Sequence, residues 1–175
     1  MSIVADKAVT SWQENGAQFL VGLDNTSGQE LWRHRIGDAF EDSYGNGPRS
    51  TPLIDGKIVI AISAQGNVHA VNLDDGSSLW TVNLVEDLGG RMPKIGYSSS
   101  PLVYGEKVIL DIGGENDYAF GALDINTGKL VWHGQSDEMA YASPILTEID
   151  GIAQVIFLSR KGLYALSADN GESLW

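Results

Sequence analysis

The chain has 175 residues, 43% hydrophobic and 19% charged, with 11 Lys and Arg against 23 Asp and Glu for a net charge of −12. This is enough for one sizeable domain, and the acidity argues against binding nucleic acid or an anionic membrane surface, both of which need clustered cations. With no cysteine, disulfide frameworks, zinc-thiolate sites, iron–sulfur clusters and cysteine nucleophiles are excluded. No apolar run approaches the roughly 20 residues of a membrane-spanning helix, so no membrane insertion is expected. The opening Met1-Ser2-Ile3-Val4-Ala5-Asp6 lacks the basic stretch and apolar core of a signal peptide. The 21 glycines and five prolines are many for a helical protein, while the apolar fraction is too high for disorder.

Four segments share one pattern, a Gly followed four residues later by Trp. In chain order they are Leu23-Asp24-Asn25-Thr26-Ser27-Gly28 to Trp32, Val71-Asn72-Leu73-Asp74-Asp75-Gly76 to Trp80, Leu123-Asp124-Ile125-Asn126-Thr127-Gly128 to Trp132, and Leu166-Ser167-Ala168-Asp169-Asn170-Gly171 to Trp175. Each Trp follows Leu31, Leu79, Val131 or Leu174, and the tryptophans are 48, 52 and 43 residues apart. A second landmark, Thr51-Pro52, Ser100-Pro101 and Ser143-Pro144, lies about 30 residues before the last three tryptophans. Ser2-Ile3-Val4 takes the equivalent place in the first unit. The repeat units therefore run about 2–37, 48–85, 97–134 and 140–175, within a single domain over 1–175. The segments Asp38 to Gly47 and Glu86 to Gly96 read as loops.

Each unit reads as four short strands. In the third, these are Ser99 to Val103, Lys107 to Gly113, Tyr118 to Leu123 and Lys129 to His133, joined by Tyr104-Gly105-Glu106, Gly114-Glu115-Asn116-Asp117 and Asp124-Ile125-Asn126-Thr127-Gly128. In the last joint, an Asp side chain can bond amides ahead of it and a closing Gly can take positive φ. The second strands, KIVIAIS from Lys57, KVILDIG from Lys107 and QVIFLS from Gln154, are almost continuously apolar, so both faces of each sheet are covered. Small four-stranded antiparallel sheets covered on both sides by copies of themselves make an all-β propeller, and a repeat of about 44 residues suits one.

At Ala122-Leu123-Asp124-x-x-Thr127-Gly128-x-x-x-Trp132 the sequence resembles the tryptophan-docking motif of the pyrroloquinoline-quinone (PQQ)-type propeller repeat family, with weaker copies at Gly28/Trp32, Gly76/Trp80 and Gly171/Trp175. The resemblance spans essentially the whole chain and implies a structural role for these glycines and tryptophans. The family divides into quinoprotein dehydrogenases and noncatalytic propellers of the BamB-like kind. The dehydrogenases resemble much longer chains, commonly clamp the quinone against a vicinal disulfide, hold calcium and use an Asp base. None of those motifs maps onto this chain. The resemblance favours a noncatalytic binding or scaffolding propeller, with no cofactor and an extracytoplasmic bacterial location. A relative or fragment of a PQQ- and calcium-dependent dehydrogenase is the alternative. Family rings more often have seven or eight blades, so four units look like half a ring. The expectation is a homodimer closing an eight-bladed ring; a strained four-bladed ring, or blades supplied by a larger chain, are the alternatives.

Among candidate site residues, His34, His69 and His133 fall at unrelated phases of their units, and no pair has metal-ligand spacing on one element. Glu115-Asn116-Asp117 lacks the Gly-spaced acids of a calcium loop. Tyr97-Ser98-Ser99-Ser100 has no nucleophile-elbow frame. One propeller face collects the loops entering first strands and the turns between second and third strands. It is expected to carry Trp12, Glu14, Asn15, Arg49, Ser50, Gln65, Tyr97, Ser98, Glu115, Asn116, Asp117, Tyr118, Tyr141, Arg160 and Lys161. Aromatics mixed with both charge signs suit a protein, peptide or glycan ligand. Trp12, outside the docking series, is either blade packing or an aromatic anchor.

Overall fold

Tight turns fix where each strand ends. The computed structural model describes residues 1–175, which form fifteen strands and no helix. In the first unit β1 (Ser2–Val4), β2 (Lys7–Glu14), β3 (Ala17–Asp24) and β4 (Glu30–Asp38) pair as an antiparallel meander. The second repeats this with β5 (Leu53–Asp55), β6 (Ile58–Ile62), β7 (Asn67–Asn72) and β8 (Ser78–Asn83). The third uses β9 (Leu102–Tyr104), β10 (Lys107–Asp111), β11 (Phe120–Asp124) and β12 (Leu130–Gly134). The fourth has β13 (Ile145–Ile149), β14 (Ile152–Leu158) and β15 (Leu163–Ser167). Its outer strand is abbreviated to a bridge, Leu166 opposite Ser173, with the Leu174 amide donating to the Ala165 carbonyl at 2.8 Å.

The docking turn is built as its residue types dictate. Asp124 Oδ1 accepts from the amides of Asn126 (3.2 Å) and Thr127 (2.8 Å) and from Thr127 Oγ1 (2.7 Å), and Gly128 closes the turn at φ +71°. Asp24 repeats this with Thr26 and Ser27. The register shifts by one residue between Gly22 and Leu23, Ala70 and Val71, and Ala122 and Leu123. A small residue thus stands opposite each of Trp32, Trp80 and Trp132; a Cβ on Gly22 would lie 2.2 Å from the Trp32 ring.

Apolar faces stack blade on blade. Val9, Leu20, Trp32 and Ile36 of the first blade pack with Val59, Ala61, Val71 and Leu73 of the second. Ile60, Val68, Ala70 and Trp80 meet Val108, Leu110, Leu123 and Ile125 of the third, whose other face, with Ile109, Phe120, Ala122 and Trp132, meets Val155, Phe157 and Leu166 of the fourth. The Ser-Pro landmark joins the inner strands. Thr51 donates its amide to Ser100 Oγ, and Ser100 its amide to Ser143 Oγ, each at 2.9 Å. Ser2, Leu53 and Leu102 pair with Val9, Ile60 and Ile109, so the prolines of the later blades align with Met1 rather than with a residue of the first strand.

Candidate functional site

Two adjoining clefts open on the loop face between the third and fourth blades and share Glu138 and Arg160. One, of about 560 Å³, is lined by Arg91, Met92, Pro93, Lys94, Met139 and Tyr141 among others. The other, of about 600 Å³, is wholly polar and lined by Glu115, Asn116, Ser136, Asp137 and Lys161 with the shared pair. The β14–β15 turn supplies Arg160 and Lys161, and the segment from β12 to β13 supplies Ser136 to Tyr141. Arg160 pairs with Glu138, Arg91 with Glu115 at 2.8 Å, and Lys161 Nζ donates to the Ser136 carbonyl at 2.6 Å. Met92 and Tyr141 are exposed beside these charges.

Asp137 organises the rim. Its Oδ2 accepts from Ser159 Oγ, from the Lys161 amide at 3.0 Å and from Tyr164 OH at 3.3 Å, and its Oδ1 from the Glu138 amide at 2.8 Å. Burial opposes its charge, but these donors outweigh burial and hold the carboxyl below its ordinary range. Asp111 is the opposite case. It is 2% exposed, neither carboxyl oxygen has a hydrogen-bond partner, and burial first, then the Asp137 charge, push it up to about 8. The chain's backbone is also unusual near the clefts: Asn116, Asp117, Gln135 and Tyr141 all have positive φ without being glycine. At Tyr141, φ +63° in an aromatic residue is a strained conformation of the kind that gathers at binding sites.

The structure brings Glu115, Asn116, Arg160, Lys161 and Tyr141 together and sets the other expected residues apart. Tyr97 is 1% exposed, its hydroxyl donating toward the carbonyls of Ile112 (2.9 Å) and Arg91 (3.2 Å), so it is a core residue with no polar atom free for a ligand. The Arg49 guanidinium donates to the Ile95 and Gly45 carbonyls and lies over Phe40; it pins two loops together. Trp12 is not in a loop. It lies in β2 opposite Phe19, with the Arg33 guanidinium 5.4 Å from its ring centroid. Asp117 lines neither cleft but borders the polar one, donating its amide to Ser136 Oγ at 2.9 Å, with its carbonyl 2.8 Å from His133 Nδ1; Tyr118 stacks on the His133 ring at 4.0 Å. Ser98 is half-buried beside Tyr97, outside both clefts. Gln65 bonds Gln18 and the Asp38 carbonyl.

Sequence reasoning missed Asp111, Asp137 and Glu138, which belong to an apolar strand and to an inter-blade joint. It also missed the contact between His34 and His69. His34 Nε2 lies 3.1 Å from His69 Nδ1, and His69 Nε2 lies 3.1 Å from the Ile36 carbonyl. The two come from different blades, so spacing along one element gave no sign of it. Burial, then the neighbouring His34, pushes His69 down to about 4, which makes the pair a neutral inter-blade contact. No group of three His, Asp or Glu side chains converges as a metal site, and the cleft carboxylates are engaged by donors of the chain itself.

Comparison with known proteins matches this architecture. Residues 17–175 match the family model described as outer membrane protein assembly factor BamB. The chain is 30% identical over 122 residues to the outer membrane protein assembly factor BamB of Salmonella typhimurium, covering 67% of this chain and 29% of that protein. It is 37% identical over 81 residues to a quinate/shikimate dehydrogenase (quinone) of Acinetobacter baylyi, covering 43% of this chain and 10% of that protein. The crystal structure of BamB from Moraxella catarrhalis superposes with a TM-score of 0.59 at 18% identity, over 97% of this chain and 60% of that one. The chain thus spans less than a third of the curated relatives it matches. With its four antiparallel blades and this match over residues 17–175, the chain belongs to the BamB-like family of PQQ-type β-propeller repeats.

Proposed function

We propose that the chain is a noncatalytic binding propeller that presents the clefts of its third and fourth blades to an extended peptide segment of a protein partner. The observation that carries this is the pair of adjoining clefts around Glu138 and Arg160, in which exposed Tyr141 and Met92 stand next to fixed charges of both signs. An apolar anchor ringed by polar groups suits side chains of a peptide, while charge pairs set register more than affinity. The Ser159 hydroxyl that donates to Asp137 is 4% exposed and lines neither cleft, which supports binding over turnover. An extracytoplasmic bacterial setting goes with the same reading, supported by the family model and the Salmonella typhimurium relative, both described as outer membrane protein assembly factor BamB. The test is binding of the purified chain to a library of extended peptides, read by fluorescence anisotropy. Arg160→Glu and Tyr141→Ala should each weaken the best binder at least about tenfold, a loss of about 1.4 kcal/mol, and binding indifferent to both would refute the site.

The second reading, a quinone-dependent dehydrogenase, is favoured by the 37% identity to quinate/shikimate dehydrogenase over 81 residues. Dye-linked oxidation of quinate or shikimate, dependent on added PQQ and calcium, would establish it in place of the first.

A further inference from the structure

Cations are scarce in this chain, and their placement is uneven. There are 11 Lys and Arg against 23 Asp and Glu. Four of the eleven, Arg91, Lys94, Arg160 and Lys161, line the two clefts between the third and fourth blades. Elsewhere every cation except Lys129 is held in an ion pair, as Lys7 and Lys57 are by Asp74 and Lys107 by Asp169.

At the clefts the balance is reversed. The cleft of about 560 Å³ has Arg91, Lys94 and Arg160 in its lining against one carboxylate, Glu138, a formal charge of +2. Lys94 is exposed and pairs with no carboxylate. Arg91 reaches out of this cleft to Glu115 at 2.8 Å, with the two side chains 55% and 59% exposed. Arg160 is 72% exposed beside Glu138. Ion pairs this open to water are weak, because solvent screens both charges. An incoming carboxylate can therefore replace Glu115 or Glu138 with little loss. Counting the adjoining polar cleft as well, four cations stand against three carboxylates. One of those three, Asp137, is turned to Ser159 Oγ and the Lys161 amide, which leaves the cationic side chains to a ligand.

Apolar surface stands among these charges. Met92 is 43% and Tyr141 38% exposed, and Pro93 joins Met92 to Lys94 in the same wall. Tyr141 holds its strained φ of +63° at this edge. A simple anion would use the cations and leave the apolar groups bare. A nucleic acid or an anionic membrane would set many negative charges against a chain of net charge −12. A short acidic segment with an apolar side chain uses both parts of the cleft and meets little of the acidic surface beyond it.

We propose that the cleft of Arg91, Lys94 and Arg160 takes an acidic segment of a protein partner. Its Asp or Glu carboxylates lie on these three cations, and an apolar side chain rests against Met92 and Tyr141. The proposal rests on the reading of the clefts as a peptide site and adds the chemistry of the peptide. Charge complementarity decides the sign. A basic segment would meet like charge at three positions and a single carboxylate at Glu138, an arrangement that rejects it.

Fluorescence anisotropy of a short rhodamine-labelled peptide, with glutamates flanking a central phenylalanine, tests this beside twins carrying glutamine or lysine in place of every glutamate. The acidic peptide should bind at least about tenfold more tightly than the glutamine twin, and the lysine twin more weakly than either. Lys94→Glu, at an exposed position with no ion pair to lose, should weaken the acidic peptide at least about tenfold with an unchanged far-ultraviolet spectrum. Lys129→Glu makes the same charge change at an exposed position outside both clefts and should have much less effect. Equal losses from the two variants would overturn the proposal, since net charge alone would then account for them. Displacement of the acidic peptide by an equal concentration of succinate would also overturn it, in favour of a small-anion site. If the glutamine or lysine twin binds as tightly as the acidic peptide and Tyr141→Ala still weakens it, the acidic partner is refuted and the peptide site stands. If no peptide of any charge binds, both fall together.

Discussion

Trp80 and Trp132 occupy equivalent places but differ in one atom's surroundings, and that difference sets a measurable contrast. Both are nearly fully buried against the next blade's glycine. Emptying a site of this size costs about 3–5 kcal/mol, in line with roughly 200 Å² of apolar area at about 25 cal/mol/Å². The Trp80 N–H donates to the Ile125 carbonyl at 2.8 Å, whereas the Trp132 N–H is buried with no partner. A net hydrogen bond contributes about 1 kcal/mol, and an unsatisfied buried donor costs about 1–3 kcal/mol. Trp80→Phe, which keeps an aromatic ring and removes the N–H, should therefore lose about 2 kcal/mol, while Trp132→Phe should lose less than about 1 kcal/mol. The alanine variants should both lose about 3–5 kcal/mol, Trp80 the more. Urea unfolding followed by circular dichroism measures this. Equal losses for the two phenylalanine variants would refute the hydrogen-bond reasoning. A loss below about 1 kcal/mol for either alanine variant would remove the tryptophans from the core.

Two further expectations follow from individual residues. Gly128→Ala should cost at least about 2 kcal/mol more than Gly28→Ala, because both strain a left-handed turn and only the first meets an indole, at 2.8 Å; equal costs in a denaturant titration would show that the indole is not docked there. Two buried groups should also make stability depend on pH, with opposite signs that offset each other between about pH 4 and 6.5. His69, at about 4 in the fold against 6.5 unfolded, contributes fully above pH 6.5 and loses about 3 kcal/mol as pH falls to 4, and His69→Gln should flatten that acid limb. Asp111, at about 8 in the fold against 3.8 unfolded, contributes fully below pH 3.8 and loses its contribution as pH rises to 8. Asp111→Asn should therefore be several kcal/mol more stable than wild type at pH 9, and a variant with an unchanged alkaline limb would place Asp111 in contact with solvent.

The repeats, the strand count and the docking turns were legible in the sequence because each is enforced locally. Gly28, Gly76, Gly128 and Gly171 are needed where φ is positive, Asp24 and Asp124 cap amides two and three residues ahead, and the continuous apolar runs declare sheets covered on both faces. The face to which the loops contribute was legible for the same reason, and with it Glu115, Asn116, Tyr141, Arg160 and Lys161. What each side chain does was settled only by the neighbouring blade. Tyr97 looked like a surface aromatic until the Ile112 carbonyl took its hydroxyl, and Arg49 like a free cation until the Ile95 carbonyl took its guanidinium. His34 meets His69 from 35 positions away, and Asp137 caps a turn 24 positions on. Blade stacking brings together residues at separations set by loop length as well as by repeat period, and a hydrophobic pattern records that a face is covered but not by which atoms. The tryptophan rule was visible in the chain; that Trp32 lies on Gly76, Trp80 on Gly128 and Trp132 on Gly171 became visible only once the blades were in place.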